Sequence, residues 1–228
     1  MRILFTSLLA ASIVLLARLS LADAPATQPS DEPAPTTRLS LDVIQGLQQH
    51  LHGINSVECD FAEQKNLAML NHTLTIRGHM AMEKPDRLIW IVHDPVKYAV
   101  RIEGDEVRQW DEDTNRVDVI HLGGDPTFKA VSEQIQGWFL GDYKSLGGSY
   151  DSFLIAQQPI WIAFIPNGQS AVSKLISRID LTFNAQESYL DTMTMHETGG
   201  DLTTIHFMSV RINQPMSDKT WEMPPNDP

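Results

Sequence analysis

The fold is decided by the stretch from Ser56 to Glu103, which reads SVECDFAEQKNLAMLNHTLTIRGHMAMEKPDRLIWIVHDPVKYAVRIE. Apolar side chains recur at every second position in four successive parts of this stretch. Such an alternation is typical of a β-strand with one buried face. The stretch therefore predicts four consecutive half-buried strands. Their apolar residues are Val57, Cys59 and Phe61, then Leu74, Ile76, Met80 and Met82, then Leu88, Trp90 and Val92, then Tyr98, Val100 and Ile102.

A helix is predicted immediately before these strands. Ser40 can cap its N-terminus, and Gly53 and Asn55 lie near its end. Its apolar residues follow helical spacing, so one face of the helix must pack against another element. These residues are Val43, Ile44, Leu47, Leu51 and Ile54.

Further strands are predicted after Glu103, separated by turn signals at Gly104-Asp105, at residues 111–115 and at residues 198–201. About ten or eleven strands against two or three helices indicate an α+β fold, with one antiparallel sheet that carries its helices on one side. The additional strands are predicted at residues 107–110, 116–122, 150–156, 160–166, 176–184, 189–197 and 202–212.

A second helix is predicted between these strands. Asp125 and Pro126 make a suitable cap and first turn, and the helix should run to about Leu140. Its buried stripe would include Phe128, Val131, Ile135 and either Trp138 or Phe139.

The N-terminus has the pattern of an export signal. An apolar run, Ile3–Ala17, follows the basic Arg2, and small residues stand at Ser20 and Ala22. The run is short for a membrane span, and we interpret residues 1–22 as a signal peptide that is cleaved after Ala22.

The residues after this cleavage position predict a free chain rather than a lipid-anchored one. Asp23 stands where a lipidated cysteine would be in a lipoprotein signal. Residues 23–38, DAPATQPSDEPAPTTR, contain four prolines and no large apolar side chain, which is typical of a disordered spacer. Residues 39–228 are then long enough for one sizeable domain.

The charge and the cysteine content exclude several classes of partner and site. The chain has 17 Lys and Arg against 29 Asp and Glu, and loss of Arg2 and Arg18 leaves 15 against 29, a net charge of −14. This balance argues against nucleic acid as a partner and against lasting adsorption to anionic membranes. Cys59 is the only cysteine, so no intramolecular disulfide can form, and a small buried apolar role is favoured over a reactive thiol.

A search for catalytic and metal-binding motifs finds none. The eight histidines form no HExxH motif, and GxSxG, P-loop and GxGxxG sequences are absent. Asp111, Asp113 and Asn115 imitate the start of a calcium loop, but Arg116 and Leu122 occupy the positions of its glycine and its bidentate glutamate. We therefore expect no enzyme, no metal and no cofactor, and a solvated hairpin turn at residues 111–115.

The methionines allow two interpretations. Met80 with Met82 and Met193 with Met195 place paired thioethers on one face of each of two predicted strands. Methionine suits an apolar surface that adapts to variable shapes, but it also fills ordinary cores. Both interpretations remain open.

Several short motifs, taken in order, resemble the periplasmic lipoprotein-carrier family, the LolA-like proteins. Each motif alone is unspecific, but their order and spacing match over about Leu39 to Pro225. The motifs are Val57-x-x-x-Phe61-x-x-Gln64-Lys65, Gly78-x-Met80-x-Met82-x-Lys84-Pro85-x-Arg87-Leu88-x-Trp90, Pro95, Glu103-Gly104-Asp105, Asp201-Leu202-Thr203-Thr204-Ile205-x-Phe207, Asn213 and Trp221-x-Met223-Pro224-Pro225.

The resemblance implies an incomplete, strongly curved antiparallel barrel that is lidded by helices and encloses an apolar cavity for acyl chains. Lys84 matches a position where the family commonly carries an arginine that holds the lid, and lysine lacks the planar fork of donors of arginine. Carried over residue by residue, the candidates for the cavity wall are Phe61, Met80, Met82, Leu88, Trp90, Met193, Met195 and Phe207.

The function implied is that of a periplasmic carrier, a chaperone in outer membrane biogenesis. It would bind the acyl chains of lipoproteins, or another lipid, and shuttle them from an inner-membrane exporter to an outer-membrane acceptor. We expect a monomer with only transient membrane contact. The alternative is a periplasmic sensor or interaction module that binds an envelope protein or a lipid signal without transport.

Overall fold

The computed structural model describes residues 37–68, 72–121, 137–141, 143, 148–170 and 172–224. These residues form one antiparallel sheet of twelve strands in the order β1-β8-β9-β10-β11-β12-β2-β3-β4-β5-β6-β7. Because β1 and β7 lie at opposite edges, the sheet is open, and it is an incomplete barrel. The strands are β1 (Thr37–Arg38), β2 (Ser56–Leu67), β3 (His72–Glu83), β4 (Arg87–Asp94), β5 (Tyr98–Glu103), β6 (Glu106–Asp111), β7 (Arg116–His121), β8 (Tyr150–Gln157), β9 (Ile160–Pro166), β10 (Ile176–Phe183), β11 (Leu190–Glu197) and β12 (Leu202–Ile212).

The α+β fold predicted from the sequence is confirmed, including the four strands between Ser56 and Glu103. The count is twelve rather than ten or eleven, because Thr37 and Arg38 pair with Leu154 and Phe153 to form the edge strand β1. The sequence places these two residues at the end of the spacer. A two-residue strand has no room for an alternating pattern, so nothing in its composition marks it.

Helix α1 (Leu41–Leu51) begins as predicted. The Val43 N–H lies 3.4 Å from the Ser40 side-chain oxygen, which caps the helix, and Leu47 and Leu51 are buried. Residues 137–140 are also helical, and a 3-10 helix covers Asp218–Trp221. The predicted start of the second helix, residues 125–136, lies outside the described residues. None of the described helices has the length and apolar character needed to span a membrane.

The sheet has two different faces. The face that carries Val57, Cys59 and Phe61, here called the inner face, bears a large apolar cluster that includes α1 and part of the second helical segment. The opposite face, here called the outer face, is mostly polar. Its small apolar cluster comprises Ala81, Ile89, Ala99, Trp110, Trp221 and Met223.

Candidate functional site

The centre of the inner face is built around Phe61 on β2. Phe61 pairs with Gly78 on β3, and the absent side chain of Gly78 leaves room for the Phe61 ring. The ring stacks on Trp90 of β4, with centroids 4.0 Å apart. On its other side Phe61 pairs with Phe207 of β12, whose ring meets Phe139 edge to face at 5.0 Å. Aromatic side chains therefore run across the middle of the sheet.

The predicted methionines lie on the same face. Met80 and Met82 pair with Cys59 and Val57, and Met193 and Met195 reach the cluster from β11. The structure thus brings all eight predicted wall residues into one apolar cluster, with Trp90 at its partly buried margin. That they contact acyl chains stays a prediction.

The helical elements pack closely on this face. Leu47 and Leu51 of α1 are buried in the cluster. Gly141 has a φ of +81°, and a side chain there would come within 2.9 Å of Leu51. Both the backbone conformation and the lack of space therefore favour glycine at this position. The Tyr143 hydroxyl donates a hydrogen bond of 2.7 Å to the Trp138 carbonyl, and burial raises the pKa of this phenol well above its usual value.

One end of the inner face is polar. The alternation of β2 continues beyond Phe61 to Glu63 and Lys65, and both side chains are buried. The Lys65 ammonium lies 2.7 Å from Glu197 Oε1, which also accepts a hydrogen bond of 3.3 Å from the Thr203 hydroxyl. Because Lys65, Thr203 and Glu197 lie on three adjacent strands, the ion pair links β2, β12 and β11.

Lys84 lies away from the cluster. It is exposed at the β3–β4 turn, and its backbone N–H donates to the Asn55 carbonyl at 2.8 Å. Within the described ranges its ammonium makes no hydrogen bond or salt bridge. The predicted lid contact of Lys84 therefore stays a prediction.

The inner-face thiol has the character of an apolar side chain. Burial, and then the neighbouring Asp60 and Glu58 carboxylates, raise the pKa of Cys59 to about 12. The part of the chain that the structure describes holds no group of three or more metal-ligating side chains. Residues 111–115 form the predicted hairpin turn between β6 and β7.

Sequence reasoning missed two kinds of residue on this face. Glu63 and Lys65 stand in register with Phe61, and extending the alternation by four residues would have placed them there. Tyr98 was assigned to a strand and Trp138 to a helix, yet neither was named as a site residue. Both carry polar atoms that the inner face buries.

Known proteins match most of this chain. Residues 52–224 match the family model described as outer membrane lipoprotein carrier protein LolA. An outer-membrane lipoprotein carrier protein of Methylobacillus flagellatus is 19% identical over 182 residues, which cover 79% of this chain and 84% of that protein. One of Pseudoalteromonas translucida is 19% identical over 188 residues, with 81% and 84% covered. Among solved structures, an uncharacterized conserved protein from Thermus thermophilus has a TM-score of 0.50 at 7% identity, over 79% of this chain and 93% of that chain.

Proposed function

Because the chain belongs to the LolA family of outer membrane lipoprotein carrier proteins, we propose that it carries acyl chains on its inner face. In this proposal the mature protein acts in the periplasm. It receives lipoproteins, or another acylated lipid, from an inner-membrane exporter and delivers them to an outer-membrane acceptor. The observation that supports the proposal most is the apolar inner face, where eight predicted wall residues form one cluster within the matched range 52–224.

The physical requirement for such a carrier is shelter from water. An acyl chain of about sixteen carbons loses about 12 kcal/mol when it moves from a membrane into water, at about 0.8 kcal/mol per CH₂. A carrier must replace most of this free energy through apolar contact. Methionine and aromatic side chains provide contact that is non-directional and adapts to chains of different length.

The distribution of the five tryptophans provides a direct test. Trp90 and Trp138 belong to the inner cluster, whereas Trp110 and Trp221 belong to the outer cluster and Trp161 contacts the outer-face Asp180. Dibromostearate, whose bromine atoms quench nearby indole fluorescence, should quench the wild-type protein upon binding. The double variant Trp90→Phe, Trp138→Phe should lose most of this quenching.

A matched double variant serves as the control. Trp110→Phe with Trp161→Phe removes two outer indoles and should retain the quenching of the inner ones. Loss of quenching to the same extent in both variants, or no quenching of the wild type, would contradict binding on the inner face.

A transfer assay separates the carrier from the sensor alternative. Donor vesicles that contain a fluorescent acylated peptide are mixed with acceptor vesicles and the protein. A carrier accelerates transfer in proportion to its concentration, whereas a sensor binds the peptide without accelerating transfer.

The predicted lid contact is tested in the same assay. Lys84→Leu removes the charge of an exposed side chain. It should change the rate of ligand release clearly while it leaves the free energy of unfolding nearly unchanged. Lys84→Arg keeps the charge and restores a planar donor fork. This variant should release the ligand no faster than the wild type. Equal release rates for all three proteins would contradict a role for Lys84 in a lid.

A further inference from the structure

Three aromatic side chains of the inner cluster bury a hydrogen-bond donor for which the described residues provide no acceptor. They are the indole N–H of Trp90, the hydroxyl of Tyr98 and the indole N–H of Trp138. A buried donor without a partner costs free energy, because it has given up its hydrogen bonds to water.

The outer face treats the same chemical group differently. The Trp161 indole donates to Asp180 Oδ1 at 2.8 Å, and the Trp110 indole donates to Asn115 Oδ1 at 3.3 Å. This chain therefore does supply acceptors to tryptophans on the outer face. Among the described residues, the inner-face indoles of Trp90 and Trp138 have no such acceptor.

Two of the inner donors are neighbours. On the adjacent strands β4 and β5, Trp90 pairs with Val100 and Val92 pairs with Tyr98. Trp90 and Tyr98 are thus diagonal neighbours on one face, with a backbone separation of about 7–8 Å. The two donors therefore belong to one neighbourhood of the inner face.

The groups around Trp90 and Tyr98 indicate which kind of acceptor could pair with these two donors. Burial, and then the Asp111 carboxylate, raise the pKa of the Tyr98 phenol above its usual value of 10.0, so that it stays a neutral donor. Asp111 pairs with Tyr98 on the neighbouring strand, and its negative charge disfavours an anionic group directly beside Tyr98. An amide would bring a donor of its own, whereas an ester presents acceptors only.

We propose that Trp90 and Tyr98 bind the ester carbonyl of an ester-linked acyl chain and so fix the depth at which the chain sits on the inner face. This inference depends on the proposed carrier function, which it deepens by naming the linkage that is recognised. The described residues provide neither donor with an acceptor, and in this proposal an ester carbonyl provides one.

The test compares two ligands that differ only in the carbonyl. One is 1-palmitoyl glycerophosphocholine and the other is its 1-O-hexadecyl ether analogue, both used below the concentration at which they form micelles. The wild type should bind the ester more tightly than the ether by about two- to twelvefold for each hydrogen bond formed.

Two isosteric variants assign the preference to these residues. Tyr98→Phe and Trp90→Phe each remove one donor, and each should reduce the ratio of ester affinity to ether affinity, whatever its effect on ether binding itself. Trp161→Phe, on the outer face, is the control and should keep the full preference.

A second measurement excludes a merely structural role for the phenol. If the Tyr98 hydroxyl is unpartnered in the free protein, Tyr98→Phe should raise the unfolding midpoint by about 2–4 °C, because a buried unsatisfied group is removed. A lower midpoint would show that the hydroxyl stabilises the free fold, and it would overturn the inference.

The remaining outcomes are also decisive. Equal wild-type affinity for ester and ether overturns the inference and leaves the carrier function standing. An ester preference that survives in both variants does the same. Binding of neither ligand, together with no dibromostearate quenching, overturns the carrier function and the inference with it.

Discussion

The inner and outer faces of this sheet differ in whether the indole N–H groups of their tryptophans have hydrogen-bond acceptors. On the outer face, the buried Asp180 carboxylate accepts hydrogen bonds from Trp161 and Arg178, and its second oxygen lies 2.9 Å from His196. On the inner face, the donors of Trp90, Tyr98 and Trp138 are buried without acceptors among the described residues. Trp161 on the outer face thus has an acceptor, whereas these three inner-face donors have none among the described residues. The outer face also buries one donor without a hydrogen bond among the described residues, Arg87 Nε, which lies 3.1 Å from Glu103 Oε1 in an ion pair.

The outer apolar cluster includes the C-terminal segment through Trp221 and Met223. The Arg87 guanidinium lies 4.2 Å from the Trp221 ring, and Arg101 donates to the Trp221 carbonyl at 2.9 Å. The C-terminal segment is therefore held against β3 to β6 by packing, a cation–π contact and a hydrogen bond. Such contacts fix this part of the sheet from its outer side.

The largest effect is expected from Trp221→Ala, which breaks the outer cluster. Loss of this buried side chain and its contact with Arg87 should lower the free energy of unfolding by about 3–5 kcal/mol, as measured by urea denaturation. At a temperature where the variant stays folded, dibromostearate should still quench it. Met208→Ala, at an exposed position, should change stability by less than about 0.5 kcal/mol.

Asp180→Asn sharpens the contrast in polar satisfaction. The substitution keeps the shape of the side chain but removes the negative charge that accepts hydrogen bonds from Trp161 and Arg178. We therefore expect the free energy of unfolding to fall by about 1.5–3 kcal/mol. The urea midpoint provides the measurement. A change smaller than that of an exposed substitution would mean that the outer network contributes little.

Gly78→Ala tests the packing of the inner face. An added methyl group would lie 2.1 Å from the Ile91 carbonyl oxygen and 2.3 Å from the Phe61 ring, so both the Ile91 backbone and the ring that stacks on Trp90 must shift. We expect a loss of about 1–3 kcal/mol and a changed Trp90 emission spectrum. Gly46→Ala in α1, where a methyl group meets no atom within 4 Å, should instead stabilise by about 0.5–1 kcal/mol.

The smallest effect near neutral pH concerns Cys59. Because its folded pKa is about 12 against an ordinary 9.0, its contribution to stability is complete below pH 9 and is lost as the pH rises towards 12. The stability difference between wild type and Cys59→Ala should therefore shrink from about pH 8 to about pH 11. A thiol reagent at about pH 8 should label the native protein far more slowly than the urea-unfolded one, and equal rates would contradict burial.

The strands were predictable because alternation is a local signal. Strands β9 and β12 have the predicted bounds, and α1 begins at the predicted Ser40 cap. The eight wall residues could likewise be named from alternation together with the family resemblance.

Other features depend on contacts that a single sequence does not show. Whether the indoles of Trp90 and Trp161 find acceptors is decided by which strands become neighbours. Glycine usually weakens a strand, and the sequence alone does not show that the Phe61 ring lies where a side chain of Gly78 would be. The polar end at Lys65 and Glu197 requires the pairing of β2 with β12 and of β12 with β11.

The pairing of β2 with β12 also has a consequence for how the chain folds. These strands meet in the middle of the sheet, where the Asn55 N–H donates to Asn213 Oδ1 across a sequence separation of 158 residues. Contacts this distant in sequence close late, because the loop entropy is lost before they form, and proteins dominated by them fold slowly. During synthesis, β2 cannot pair with β12 until β12 has been made, so the sheet stays incomplete until then. In the proposed export of this protein, such a delay would keep the chain unfolded while it crosses the membrane.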